Sequence, residues 1–196
     1  MLGPYGYYWL LLKPARKPAG AADSRRPERI VRMKQAGLVE LLQGQGKEAL
    51  EREALPAWLP GRRWFGGKGR TIVRVAILDR VLPPEGGDAP EWALVFVRVE
   101  YADGAPEQYL LPLARASGAD AEAIRKEVPG AILMEVEDAN GKAAILEAVY
   151  HAGFRTAMRK MMAGGTASHG LSGILRGHGR AEARSEEHTS ELQSQR

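Results

Sequence analysis

The sequence predicts an α+β fold: a curved antiparallel sheet of about three to five strands flanked by helices, with disordered termini. Three observations carry this. Trp92–Tyr101 alternates in hydrophobicity and runs through an Asp103-Gly104 turn into Gln108–Leu113, a β-hairpin signal. Apolar residues recur at helical spacing before Pro56 and again after Ile145. The 23 glycines and 12 prolines bunch at the two ends and in loops, so the packed part is shorter than the 196-residue chain.

In chain order, Leu2–Leu12 is aromatic and extended in character, with a Gly-Pro turn ahead of a strand-like run. Such a strand needs a sheet to join, and no partner lies near it in sequence. Lys13–Arg29, rich in Pro, Ala, Arg and Lys, reads as a solvated linker. From Ile30 to Leu55, Ile30, Leu38, Leu41, Leu42, Leu50 and Leu55 predict two short helices broken by Gly44 and Gly46 and closed by Pro56 and Pro60. Gly61–Arg70 is a basic, glycine-rich loop with two aromatics. The β-branched content of Thr71–Leu82 predicts a strand, and residues 83–88 a loop.

The next strand places Trp92, Leu94 and Phe96 on one side and Val95, Val97, Val99 and Tyr101 on the other. Ala119–Glu127 is a short helix stopped by Pro129-Gly130, and Ala131–Glu137 is a strand before a turn at Asn140-Gly141. Ile145–Met162 reads as an amphipathic helix weakened at Gly153, whose apolar face covers the sheet with its methionines as core filler. Beyond Met162 the periodicity stops, and Ala163–Arg180 reads as disordered or cut off from its partners.

The hydrophobic share of 44% and charged share of 27% supply one domain of ordinary size with a real core. With no cysteine, the chain has no disulfides, no Cys-ligated zinc, no iron–sulfur cluster and no thiol nucleophile, and a reducing compartment fits best. Tyr7–Leu12 is too short to span a bilayer and lacks a basic residue ahead of it, so the expected location is cytoplasmic, with no membrane partner. The net charge of +4 comes largely from the flanks, not from a basic stripe, which argues against nucleic acid. His151, His169, His178 and His188 are scattered and the carboxylates likewise, so no metal ligand, catalytic residue or cofactor-binding residue is nominated.

The Gly61–Arg70 loop invites a phosphate-binding reading, because glycines expose backbone N–H groups and Arg and Lys add charge. The Walker pattern needs Lys and then a hydroxyl directly after its second glycine. Gly61 and Gly66 have the right separation, but Gly67 stands where the Lys belongs, no hydroxyl directly follows it, and a strand comes next in place of a helix. The loop is expected to be structural. Trp64 and Phe65 plug the core, Gly66 and Gly67 permit tight turns, and Arg63, Lys68 and Arg70 stay wet or pair with acids.

The string from Leu55 to Arg70, with Arg-Trp-Phe-Gly-Gly-Lys-Gly-Arg at its centre, resembles the start of the maltokinase N-terminal cap domain. The later strand order, Lys142–Tyr150 and Phe154 are similar to the rest of that domain, and the likeness covers residues 35–162. Independently, Leu-Gly-Pro-Tyr-Gly-Tyr-Tyr-Trp at 2–9 resembles the closing strand of a trehalose synthase C-terminal β-domain. Together they imply a trehalose synthase/maltokinase fusion. Residues 1–13 are then a remnant of the first enzyme, 14–34 the linker, 35–162 the cap, and 163–183 the disordered, truncated start of the next lobe. Residues 184–196 resemble the translation of a sequencing adapter and carry no functional reading.

The resemblance implies a parent that phosphorylates maltose with ATP and Mg²⁺ to maltose 1-phosphate, feeding α-glucan synthesis. Phosphoryl transfer needs a phosphate-binding lysine, a catalytic-loop Asp and metal-holding Asn and Asp. The chain has no His-Asn-Gly-Asp loop, no Asp-Phe-Glu or Asp-Phe-Gly motif and no strand lysine after a nucleotide loop. It is therefore expected to be inactive alone and to hold no cofactor itself, its partners being the kinase lobes and the upstream trehalose synthase domain. The alternative is a stand-alone α+β interaction module that holds an anionic partner through Arg62–Arg70.

Overall fold

A computed structural model describes residues 30–32, 37–83, 91–138 and 141–178. At its centre is a curled sheet in the spatial order β1-β5-β6-β4-β3-β2. Strands β2 (Ile72–Val81), β3 (Trp92–Tyr101), β4 (Glu107–Ser117), β5 (Ile132–Asp138) and β6 (Gly141–Glu147) are antiparallel to their neighbours. The short β1 (Ile30–Arg32) adds a parallel edge to β5. Register shifts at Ile72/Arg74 and Ile77/Asp79 in β2 and at Ile132/Met134 in β5 mark bulges, which bend strands and increase twist.

One face of the sheet carries α1 (Leu38–Leu41) and a continuous helical run of α2 (Gly44–Ala49), a π segment (Leu50–Ala54), α3 (Leu55–Trp58) and a 3₁₀ turn (Leu59–Gly61). Pro56 sits in the first turn of α3, directly after the π segment, where a missing N–H is tolerated. Leu41, Leu50, Leu55, Trp58 and Leu59 bury fully against Val95, Val97, Leu113 and Ile145. A Cβ on Gly46 would lie 2.7 Å from the Leu41 Cα, so the close approach of α1 and α2 requires glycine there.

Polar ties join this layer to the edge strand. Glu51 Oε1 accepts from the Ile77 N–H at 2.6 Å, covering an edge-strand donor, and Arg80 Nη1 donates to the Leu42 carbonyl at 2.8 Å behind α1.

The opposite face carries α4 (Gly118–Glu127) and α5 (Ala152–Gly164). Ala121, Phe154 and Met161 pack there against Trp92, Leu94, Ala114 and Leu146, with the Phe154 ring edge-on to Trp92 at 5.5 Å. His151 caps α5, its Nδ1 accepting from the Phe154 N–H at 3.3 Å. Arg125 of α4 grips the Glu135 carboxylate of β5 with Nε at 2.9 Å and Nη2 at 2.8 Å. A separate two-stranded hairpin, β7 (Ala167–His169) and β8 (Ile174–Arg176), comes after α5. No helix among the described residues is long and apolar enough to cross a membrane.

The α+β class, the antiparallel sheet and the two faces of β3 agree with the sequence reading. Three elements differ. Ile30, expected in a helix and placed within the linker 14–34, lies in β1, whose pairing with β5 neighbouring sequence could not announce. Ile145–Glu147, expected to open the long helix, closes β6; the helical turn begins only at Ala148. Ala143–Leu146 is buried on both faces, and a continuous apolar run has no period to separate strand from helix. Within Ala163–Arg180, expected to be disordered, Thr166–Gly177 instead forms the β7–β8 hairpin, closed by the Gly177 N–H to the Thr166 carbonyl at 2.9 Å. Residues 1–29 and 184–196 lie outside the described residues.

Ile145 is wholly buried in the main core, whereas Val73 on the edge strand is 67% exposed. Ile145→Ala is expected to cost about 2–5 kcal/mol in denaturant unfolding, and Val73→Ala less than about 1 kcal/mol.

Candidate functional site

The basic loop between α3 and β2 packs against the end of the β3–β4 hairpin. Phe65 is the core plug that its apolar ring predicts: it is buried, 5.1 Å from the Tyr109 ring centroid and 6.4 Å from that of Tyr101. Trp64 is not a plug. It is 42% exposed and lies across the surface, edge-on to Trp58 and tilted against Tyr109, because its indole N–H reaches out to Glu147 Oε1 at 3.0 Å. Burying the ring would have left that donor unpaired.

Arg70 is the centre of the arrangement. Its guanidinium lies 3.6 Å from the Tyr101 ring centroid. Nη1 donates to Glu107 Oε1 at 3.0 Å, and Nη2 to the carbonyls of Asp103 at 2.5 Å and Ala105 at 3.1 Å. Glu107 Oε2 accepts from the hydroxyl of Tyr101 at 2.8 Å and from that of Tyr109. The Tyr109 and Tyr101 hydroxyls hold the Glu107 carboxyl below the usual glutamate range against the opposing effect of desolvation, with the Arg70 charge adding to the lowering. Burial first, then the bonds to Tyr109 and Glu107, pushes the Tyr101 hydroxyl well above its ordinary value.

The glycines serve this packing. A Cβ on Gly67 would overlap the Tyr101 ring, with Cζ at 2.6 Å, and one on Gly66 would come 3.3 Å from the Tyr109 hydroxyl. Gly69 turns the chain with φ +83°. Arg62 lies over the Trp58 ring at 4.7 Å and donates to the Gly130 carbonyl, which also accepts from the Trp58 indole at 3.1 Å. Lys68 Nζ donates to the Arg63 carbonyl at 3.2 Å, and both side chains are exposed.

The structure thus brings Phe65, Gly66, Gly67 and Arg70 together and leaves Arg63, Trp64 and Lys68 toward solvent. Tyr101, Glu107 and Tyr109 were not singled out from sequence. The signal was present: residues 107 and 109 share one face of β4, and the Asp103-Gly104 turn folds Tyr101 back toward them. Chemically the loop is a clasp. Arg62 and Arg70 are turned inward onto rings, carbonyls and a carboxylate, so an anionic partner would meet chiefly Arg63 and Lys68. Among the described residues no three His, Asp or Glu side chains gather at metal-binding distance.

A second concave feature lies on the α4/α5 face, where coverage stops beyond Leu94. An apolar groove of about 330 Å³ is lined by Leu78, Val81, Leu94, Phe96, Leu110 and Ile174. Phe96 and Leu110 are register partners, 40% and 49% exposed.

Two expectations test the clasp. Gly67→Ala should destabilise the domain by about 1–3 kcal/mol in thermal or denaturant unfolding, because the Tyr101 ring must move. Glu107 has a lowered folded pKa, so its contribution to stability is present above the ordinary glutamate value of 4.5 and is lost as pH falls through the folded value. The melting temperature of Glu107→Gln should therefore lie below that of the parent at pH 7, and the gap should close under acid.

Residues 58–150 match the family model described as the maltokinase N-terminal cap domain. No curated protein matches the chain. The matched segment runs from the last residue of α3 through the clasp and β2–β6 to the turn before α5, leaving α1, α2, α5 and the β7–β8 hairpin outside it. By this match, residues 58–150 are similar to the maltokinase N-terminal cap domain.

Proposed function

We propose that the chain is the N-terminal portion of a maltokinase and that its cap does no chemistry of its own. The observation that carries this reading is the family match over residues 58–150, within which the cationic loop turns Arg62 and Arg70 onto the protein. The whole enzyme, on this reading, transfers a phosphoryl group from ATP with Mg²⁺ to maltose, giving maltose 1-phosphate for α-glucan synthesis. ATP, Mg²⁺ and maltose are held by kinase lobes that the described residues do not supply. The described residues do not fit the nucleotide: Arg70 is bound to Glu107 and two carbonyls, Gly67 stands where a Walker lysine would be, and no carboxylate cluster offers a metal seat.

The cap's part is architectural. It presents a two-faced sheet, and on this reading residues 14–34 link it to residues 1–13, the remnant of an upstream trehalose synthase domain. The protein acts in the cytoplasm.

A ligand that binds only the folded state raises the melting temperature. The purified chain should show no such rise with ATP, with or without Mg²⁺, and no maltose-dependent ATP consumption. Placed ahead of the kinase lobes of a maltokinase in exchange for their own cap, it should sustain maltose 1-phosphate formation. A clear ATP shift of the chain alone, or a swapped enzyme that folds but is dead, would count against the reading.

A further inference from the structure

The β7–β8 hairpin is built unlike the rest of the molecule. Its strands have three residues each and form their own sheet, without backbone pairing to the main one. Two-stranded hairpins of this size are marginal alone. Its outer apolar residues add little, since Leu171 is 69% and Ile174 60% exposed.

The tip is held by one side chain. Asp79, at the bulge of β2, accepts from the N–H of Leu171 at 2.6 Å and of Ser172 at 3.1 Å, while Arg80 N–H binds the same carboxylate at 2.7 Å. Gly170 lets the turn close over it, because a Cβ there would lie 2.9 Å from both carboxylate oxygens. The base rests on glycines. Gly165 ends α5 at φ +64°, and Gly177 packs on the Met161–Met162 backbone. Ser172, Gly173, Ile174 and Leu175 form one wall of the apolar groove, over Val81 and Leu94, which are buried.

We propose that the β7–β8 hairpin is a strap, latched at its tip by the Asp79 carboxylate, that swings as a unit about its glycine-flanked base and uncovers Val81 and Leu94, extending the apolar floor already open at Phe96 and Leu110. Bonds from backbone N–H to a carboxylate are among the stronger hydrogen bonds, so one group suffices as a latch, and removing its charge releases the tip. The main sheet has no part in the movement, because its strands pair independently of the hairpin.

Hydrogen exchange on the full chain reads this directly. Asp79→Asn should speed exchange across residues 167–176 about tenfold or more, leave β3 and β4 unchanged, and increase the fluorescence of anilinonaphthalenesulfonate through the opened floor. Gly170→Ala, which displaces the tip sterically and keeps the carboxylate, should give the same pattern. Unchanged exchange in the hairpin in both variants would overturn the strap, as would acceleration spread equally over β3 and β4, which signals general loosening.

Discussion

Burial of β3 on both faces is the constraint that sets the layer order. Ala93, Val95, Val97 and Val99 point into the core under α1–α3, and Trp92 and Leu94 into the core under α4 and α5. A strand flanked in this way cannot be an edge, so β2 and β4 must pair with it on either side, and both helical layers are needed to remove its side chains from water. The second face is covered only as far as Leu94; Phe96, one step along, is already 40% exposed. The groove is therefore a consequence of helices that stop short of the sheet's full length, and the hairpin partly makes good the span that α5 does not reach.

At the other end of β3 the sheet is closed by polar chemistry. Tyr101 is buried among Phe65, Gly67 and Arg70, and each neighbour answers a different part of it: the ring face meets a cation, the ring edge a glycine without Cβ, and the hydroxyl a carboxylate. Glu107 then satisfies Arg70 and both tyrosine hydroxyls at once. Removing Glu107 leaves three donors without this acceptor, and removing Arg70 or either tyrosine takes a donor from the carboxylate, which is the arrangement in which polar networks specify a geometry instead of merely adding stability.

The central sheet was legible because its signals are local: alternation in Trp92–Tyr101, the Asp103-Gly104 turn and the β-branched run of β2 each need only a few residues of context. The elements that escaped depend on distant partners. Ile30–Arg32 becomes a strand only because β5 lies beside it, and the hairpin after α5 is held from 92 residues away, at Asp79. Ala143–Leu146 failed for another reason, since a strand buried on both sides shows no period. In the clasp, the glycine-rich string showed that the backbone must approach something closely and that aromatics were involved. It could not show that Phe65 goes in while Trp64 lies outside, a choice decided by the Glu147 acceptor at the end of β6.

The contrast between Arg70 and a phosphate-binding cation is instructive for basic glycine loops in general. Composition made Gly61–Arg70 look like an anion cradle, yet a guanidinium is planar and weakly hydrated, and it settles on a tyrosine face with its edge turned to a carboxylate wherever both are in reach. Here the strand register supplies them: Val99 pairs with Glu107, so Tyr101 and Glu107 flank the same turn, and Thr71, directly after Arg70, hydrogen-bonds Ala102. The cation is thus delivered to an internal anion by the start of β2. For Arg70 to bind an external phosphate, that pair would first have to break, leaving the Glu107 carboxylate without its cation. Arg70, which helps to make the loop basic, is therefore better placed as a joint between the loop and the β3–β4 turn than as a ligand for an external anion.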